Sequence, residues 1–310
     1  MIWKGDFMTK LTGRQIKQIK LFLLLVPFLA YVAVFSYVPL FGWSYAFLKF
    51  NPGLRIRDMK WVGLDNFRAL FKYSGALKTV MTNTMSISFL SLSTSVLPVI
   101  LAILISMLPG KKLGRIVQSI TTIPNFISWV LVYSIFFCLF APETGVVNQV
   151  LMGVGFLSNP LNLLGNVEQA WFIQIGIGVW KGLGWGAIVY LAAIAGIDQE
   201  LYESAAIDGA NRFQSTIHIT LPGLANTYMV LFLLAIASIL SNGFEQYWVF
   251  QNALTRDKLE VFDTYVYRLA MVNQQYSFST AMGMMRSIVS IILLFCANQV
   301  SKRIRGESIV

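Results

Sequence analysis

The side chains able to do chemistry in this sequence are few, and most lie inside long apolar runs. Gln174, Lys181 and Trp185 recur at spacings of seven and four, which sets them on one face of a helix. Such a face offers hydrogen bonds to the hydroxyls of a polar solute and a flat ring to its C–H surface. Lys181 reads equally well as the ion-pair partner of a carboxylate on a neighbouring helix. Asn125 and Trp129, four residues apart, also share a face and suit either a polar pathway or a packed core. Glu245 and Arg286 are the other ionisable groups expected inside apolar spans, nearer the outer membrane face.

Enzymatic chemistry finds little to work with. There is no GxxxxGK[ST] phosphate loop, because Gly110-Lys111-Lys112 lacks both the first glycine and the hydroxyl. The one histidine, His218, reads as a solvated or hydrogen-bonded loop residue. Cys138 and Cys296 sit in separate apolar runs as small core residues, out of reach of a shared zinc site. No nucleophile motif and no paired carboxylates fall within a span. Neither a catalytic residue nor a metal nor a cofactor is expected, and energy is expected from another subunit.

The elements that position these groups follow from composition. Of 310 residues, 56% are hydrophobic and 12% charged, about half the charge of a soluble domain. An all-α polytopic membrane protein is expected, with a span for each run of about 20 apolar residues. Six segments qualify: 21–41, 84–108, 117–140, 171–194, 228–250 and 279–300. They make a membrane domain over 21–300, between a basic segment 1–20 and a tail 301–310. Pro27, Pro98 and Pro124 lie within or near spans, where neighbours can satisfy the freed backbone groups. Gly178, Gly182 and Gly186 form a small-residue face for close helix packing.

The net charge of +10 does not point to nucleic acid, because it is concentrated beside the spans. Lys4, Lys10, Arg14, Lys17 and Lys20 precede the first apolar run, and Lys302, Arg303 and Arg305 follow the last. Flanking cations hold helix ends at the anionic cytoplasmic leaflet. The first run is too long for a cleavable signal, and no small-x-small site follows it. Both termini are placed inside. The segment between the first two spans runs against the rule, with Lys49, Arg55, Arg57, Lys60, Arg68, Lys72 and Lys78 on the outer side. Within it, residues 61–71 alternate apolar and polar side chains as an interfacial amphipathic helix does. Residues 148–166 read as a loop over a pore mouth, and the polar segment 251–278 as a surface for a soluble partner.

The sharpest pattern lies between the fourth and fifth spans, over residues 198–222. Glu200 and Glu203 suit the start of a short helix, at its positive dipole end. Ala205 and Ala206 keep one surface small, Gly209 breaks the helix, and Pro222 closes the segment before the next span. A surface helix with a small-residue patch between two spans is a docking element. This segment resembles the EAA loop of type I ABC importer permeases: Glu203, Ser204 and Ala205, then Gly209 within Asp208-Gly209-Ala210, then Ile219, Leu221 and Pro222 at the family spacing. Ser204 stands where the family commonly has alanine, and it is as small.

The resemblance covers roughly 78–303. Residues 124–130 (PNFISWV), 145–148 (GVVN) and 263–268 (DTYVYR) look like the oligosaccharide and polysaccharide branch, alongside alginate and pectin-fragment importers. It implies the type I importer fold in a bacterial cell membrane and a heterodimer with a sister permease. It also implies two cytosolic ATPase subunits docked on the loop, and an extracellular sugar-binding protein. Import by alternating access is the implied activity. Two rivals differ by their acids: an ion-coupled carrier wants carboxylates at mid-membrane and internal repeats. A membrane-embedded transferase wants a carboxylate cluster at one interface, which Asp198, Glu200, Glu203 and Asp208 could mimic.

Overall fold

A computed structural model describes residues 13–72 and 74–305. The terminal calls at Lys4 and Lys10, and the tail beyond 305, lie outside them. The described residues are helical throughout apart from loops and one isolated antiparallel bridge, Leu48 to Trp61. Five helical stretches are long and apolar enough to cross a membrane: Lys17–Phe47, Gly75–Ser106, Ala170–Ala195, Arg212–Ala237 and Tyr276–Arg303. A sixth is a pair, Lys112–Phe126 and Trp129–Phe140, bent by 101° at the break.

The chain enters through α1 (Gly13–Val32), whose helix continues by a π-turn and a 3₁₀ stretch to Phe47. Residues 17–41 are all exposed within this chain. After the bridge comes the short helix α2 (Asp65–Lys72), overlapping the stretch 61–71 expected to be amphipathic. The second span is α3 (Ser74–Ser93) and α4 (Leu97–Ser106), joined by a 3₁₀ turn just before Pro98. The bent pair is α5 (Lys111–Thr122) and α6 (Trp129–Phe140), and α7 (Val146–Gly153) occupies part of the expected loop 148–166. Asn148 is buried there, its amide bridging Ala141 and Leu161.

The fourth span is α8 (Ala170–Ala195), packed on α4 through Val99, Ala102, Ala187 and Tyr190. Then follow α9 (Gln199–Ile207), α10 (Arg212–Ser215) and α11 (Leu221–Ala237). The fifth span therefore differs from the expected 228–250. It runs from Arg212 to Ala237, because a π-turn over Thr216–Thr220 carries the helix through Pro222, and it stops at Ser238. After a break, α12 (Phe244–Phe250) is a separate short helix, so Glu245 does not lie on the fifth spanning helix.

The segment 251–278 was expected to face a soluble partner, and much of it instead packs inward. It contains α13 (Arg256–Leu259) and α14 (Phe262–Tyr267), and Asn83 on α3 donates to the carbonyls of Asp257 and Glu260. Leu259, Val261 and Phe262 are buried. The chain closes with α15 (Tyr276–Arg305). Cys138 and Cys296 are exposed rather than core residues. They sit on spans whose outward faces meet lipid or another subunit, where a small apolar thiol is also at home.

Candidate substrate cleft and coupling loop

The polar centre of the molecule forms where the third span breaks. Pro124 opens a 3₁₀ turn over Ile123–Phe126, then Ile127 and Ser128 become extended, and the Ser128 hydroxyl caps α6 by accepting from the Leu131 N–H at 3.4 Å. A helix end leaves carbonyls without intrahelical donors, and in a membrane no water replaces them freely. Lys181 supplies the donors. Its ammonium donates to the carbonyls of Pro124, Asn125 and Ile127 at 3.2, 2.7 and 2.6 Å, and lies 5.2 Å from the centre of the Trp129 ring. A cation at the negative end of a helix dipole is also favourable electrostatically.

Of the two readings of Lys181, the ion pair is replaced by three bonds to backbone oxygens, while the side chain still borders a cleft together with Glu245. Lys181 lies eleven residues into α8, about 16 Å along it, near mid-depth. Asn125 and Trp129 do not share a helical face, because the break falls between them. They meet at Lys181 by another route, one through its carbonyl and the other through its ring.

Two adjoining clefts of about 450 and 470 Å³ flank this clamp. The smaller is lined by Ser88, Ser95, Gln174, Asn242, Gln246 and Tyr247, and the other by Asn125, Trp129, Lys181 and Glu245; Trp129, Gly178 and Gly182 border both. Gln246 donates to the Gln174 backbone and side-chain oxygens at 2.8 and 3.0 Å. Gln246 and Asn242 do not stand out in the sequence, where they fall in the outer half of the expected span 228–250. Their amides interrupting an apolar run were the available signal.

Two pathway candidates fall elsewhere. Trp185 lines neither cleft; half exposed, it packs edge-on against Phe126 beyond the break. Arg286 pairs with Asp263 on α14 and donates to Ser241, so it ties three elements together beside the cleft. In the same motif Arg268 grips Glu260 through two bonds of 2.6 and 2.5 Å. The small-residue face meets a neighbouring helix closely at Gly186, where a Cβ would lie 3.1 Å from Pro98 on α4, but not at Gly182. A Cβ on Gly182 would meet nothing within 4 Å, whereas one on Gly184 would lie 2.2 Å from the Thr121 carbonyl. Gly184, outside the predicted repeat, is where α8 touches the α5 backbone.

The second site is the loop 198–222. Asp198 caps α9 by accepting from the Glu200 N–H at 3.0 Å, so Glu203 stands a turn further in than expected. Gly209 takes φ +76°, and Ala210 N–H reaches back to the Ala205 carbonyl at 2.9 Å, a Schellman closure. Asn211 and Gln214 then cap α10 reciprocally. Glu203, Ser204, Ala206, Asp208 and Ile207 are exposed. Behind them Ala205, Ala210, His218 and Ile219 border a surface cleft of about 290 Å³, and His218 Nδ1 contacts the Gln214 carbonyl at 2.9 Å. Tyr202 and Thr220 hydroxyls, 2.9 Å apart, and Arg212 bonded to the Met107 carbonyl fasten the loop to the spans.

Comparison with known proteins agrees with this arrangement. Residues 95–306 match the family described as "Binding-protein-dependent transport system inner membrane component". Protein LplB of Bacillus subtilis (strain 168) is 38% identical, covering 93% of this chain and 90% of its own. The polygalacturonan/rhamnogalacturonan transport system permease protein YteP of the same organism is 36% identical, over 100% and 96%. A solved bacterial alginate ABC transporter, in complex with alginate pentasaccharide-bound periplasmic protein, superposes with a TM-score of 0.84 at 33% identity, over 95% of this chain and 98% of that one.

Proposed function

The chain belongs to the binding-protein-dependent transport system inner membrane components, a family of transport permeases, and from that premise we propose that it is the membrane subunit of an ATP-driven importer of oligosaccharides or polysaccharide fragments. The observation that carries the substrate class is the pair of clefts at the broken third span. Hydroxyls and amides of Ser88, Ser95, Asn242 and Gln246 stand beside the rings of Trp129 and Tyr247, the combination that suits a sugar's hydroxyls and C–H faces. The sugar polymers named for YteP and for the alginate transporter agree with it.

The loop 198–222 couples the cleft to energy supplied by two cytosolic ATPase subunits, which rest on Glu203, Ser204, Ala205 and the turn at Asp208-Gly209-Ala210. A sister permease covers the exposed first span, and an extracellular sugar-binding protein delivers the cargo. Both termini and the coupling loop face the cytoplasm of a bacterial cell. The cleft opens alternately to the two sides as the ATPases close and part. Gln174, bonded to Gln246, shapes the cleft wall, and Glu245 stands across it from Lys181.

Reconstitution in proteoliposomes tests the reading. Uptake of labelled pectin or alginate oligosaccharides should require the sister permease, the ATPases, the binding protein and ATP. Uptake by this chain alone, driven by an ion gradient, would identify a secondary carrier instead.

A further inference from the structure

The segment between the first two spans runs against the charge rule that the rest of the chain follows, and transport does not account for it. It carries Lys49, Arg55, Arg57, Lys60, Arg68 and Lys72 against Asp58 and Asp65. The segment is built rather than loose. Lys49 N–H donates to the Lys60 carbonyl at 2.8 Å, and Val62 N–H to that of Phe47 at 2.9 Å. The rings of Phe47 and Trp61 stack at 5.6 Å. Asn66 donates to the Ala46 carbonyl at 2.8 Å, and Phe50 N–H to Ser277 on α15 at 2.9 Å. Its cations are all exposed, and the Arg68–Asp65 pair, 3.4 Å long and open to solvent, contributes little.

The two faces of α2 differ in a telling way. Leu70 is buried against Val80, Phe262 and Met282. On another side Leu64, Arg68 and Phe71 fall within about 60° of one another around the helix, and Leu64 and Phe71 are 56% and 73% exposed. Leu54, Ile56 and Trp61 are likewise exposed between the cations of the preceding loop. A face turned to water gains nothing from Leu and Phe, and a face turned to acyl chains would not carry arginine. Apolar bodies beside basic heads suit the boundary between the two. The segment also starts and ends at span ends, Phe47 and Gly75, which holds it at that depth.

We infer that this surface is a binding site for anionic phospholipid headgroups. Leu64, Phe71 and Trp61 enter the acyl boundary, and Arg55, Arg57, Lys60 and Arg68 take the phosphates. A sugar acid or an acidic soluble protein would satisfy the charges and leave the apolar side chains in water. The charge would also offset the topological penalty of basic residues on this side of the membrane.

The test uses the full chain, assembled with its partners, in micelles doped with phosphatidylglycerol or phosphatidylcholine, with retained lipid counted by native mass spectrometry. The complex should keep phosphatidylglycerol selectively. A variant with Arg55, Arg57, Lys60 and Arg68 each changed to glutamine should lose at least about tenfold of that retention, with its melting curve unchanged. Asp65→Asn should raise retention, which guards against a variant that merely misfolds. Equal retention of the two lipids, or no loss in the fourfold variant, overturns the inference. So does a fourfold variant that keeps its lipid but no longer captures the sugar-binding protein, since the surface would then belong to that partner.

Discussion

The ammonium nitrogen of Lys181, at mid-depth on α8, lies 2.6 Å from the carbonyl oxygen of Ile127 at the break between α5 and α6. The same nitrogen holds the carbonyls of Pro124 and Asn125. One side chain thus replaces the intrahelical donors that a 101° bend removes. Lys181→Met keeps the length and removes every donor that Lys181 offers, leaving the part-buried carbonyls of Asn125 and Ile127 without it. The expected cost is about 3 kcal/mol, read as a drop of several degrees in the melting of the purified complex, together with impaired uptake. Unchanged melting with lost uptake would return Lys181 to the role of a sugar contact.

Gly184 and Gly182 lie on the same helix and should respond oppositely to alanine. At Gly184 the new methyl would overlap the backbone of Thr121 and Thr122, which has no rotamer with which to yield. Separating α8 from α5 should cost about 2 kcal/mol or more. At Gly182 there is open space, and helix propensity alone favours alanine. Thermal melting of the two variants side by side checks the contrast.

Two tryptophans separate the cleft from its surroundings. Trp129 borders both clefts, whereas Trp185 rests on Phe126 outside them. Trp129→Ala should reduce uptake at least about tenfold, by removing a stacking surface and the ring beneath Lys181. Trp185→Ala should leave uptake within about twofold of the parent, since an exposed contact contributes little. Initial rates of labelled oligosaccharide uptake at matched membrane expression decide between them.

The turn at Gly209 has φ +76°, a conformation that costs an L-residue about 1 kcal/mol or more. Gly209→Pro should unseat the Schellman closure and abolish substrate-stimulated ATPase activity while the protein still reaches the membrane. Ala205→Trp should do the same by holding the ATPase away from α9. Cysteines placed at Glu203 or Ala206 should crosslink to the ATPase and resist impermeant thiol reagents added outside intact cells. Labelling from outside would reverse the orientation.

Composition and run length by themselves determined that this is an all-α membrane protein with about six spans, because a membrane imposes its thickness on any helix that crosses it. The short helix and the glycine turn of the loop 198–222 were legible too, because they are local objects, whereas its caps, Asp198 and Asn211, emerged only in the structure. Only the tertiary structure decided where spans break. Apolar runs over 117–140 and 228–250 look continuous, yet Pro124 and the Ser238–Gly243 stretch divide them, because distant donors such as Lys181 make the broken backbone affordable. For the same reason Asn125 and Trp129 meet around a lysine rather than along a helix face, Arg286 finds Asp263, and Glu245 falls on a separate short helix. Helical spacing orders side chains along one element; which element stands opposite is a matter of packing, and no periodicity carries it.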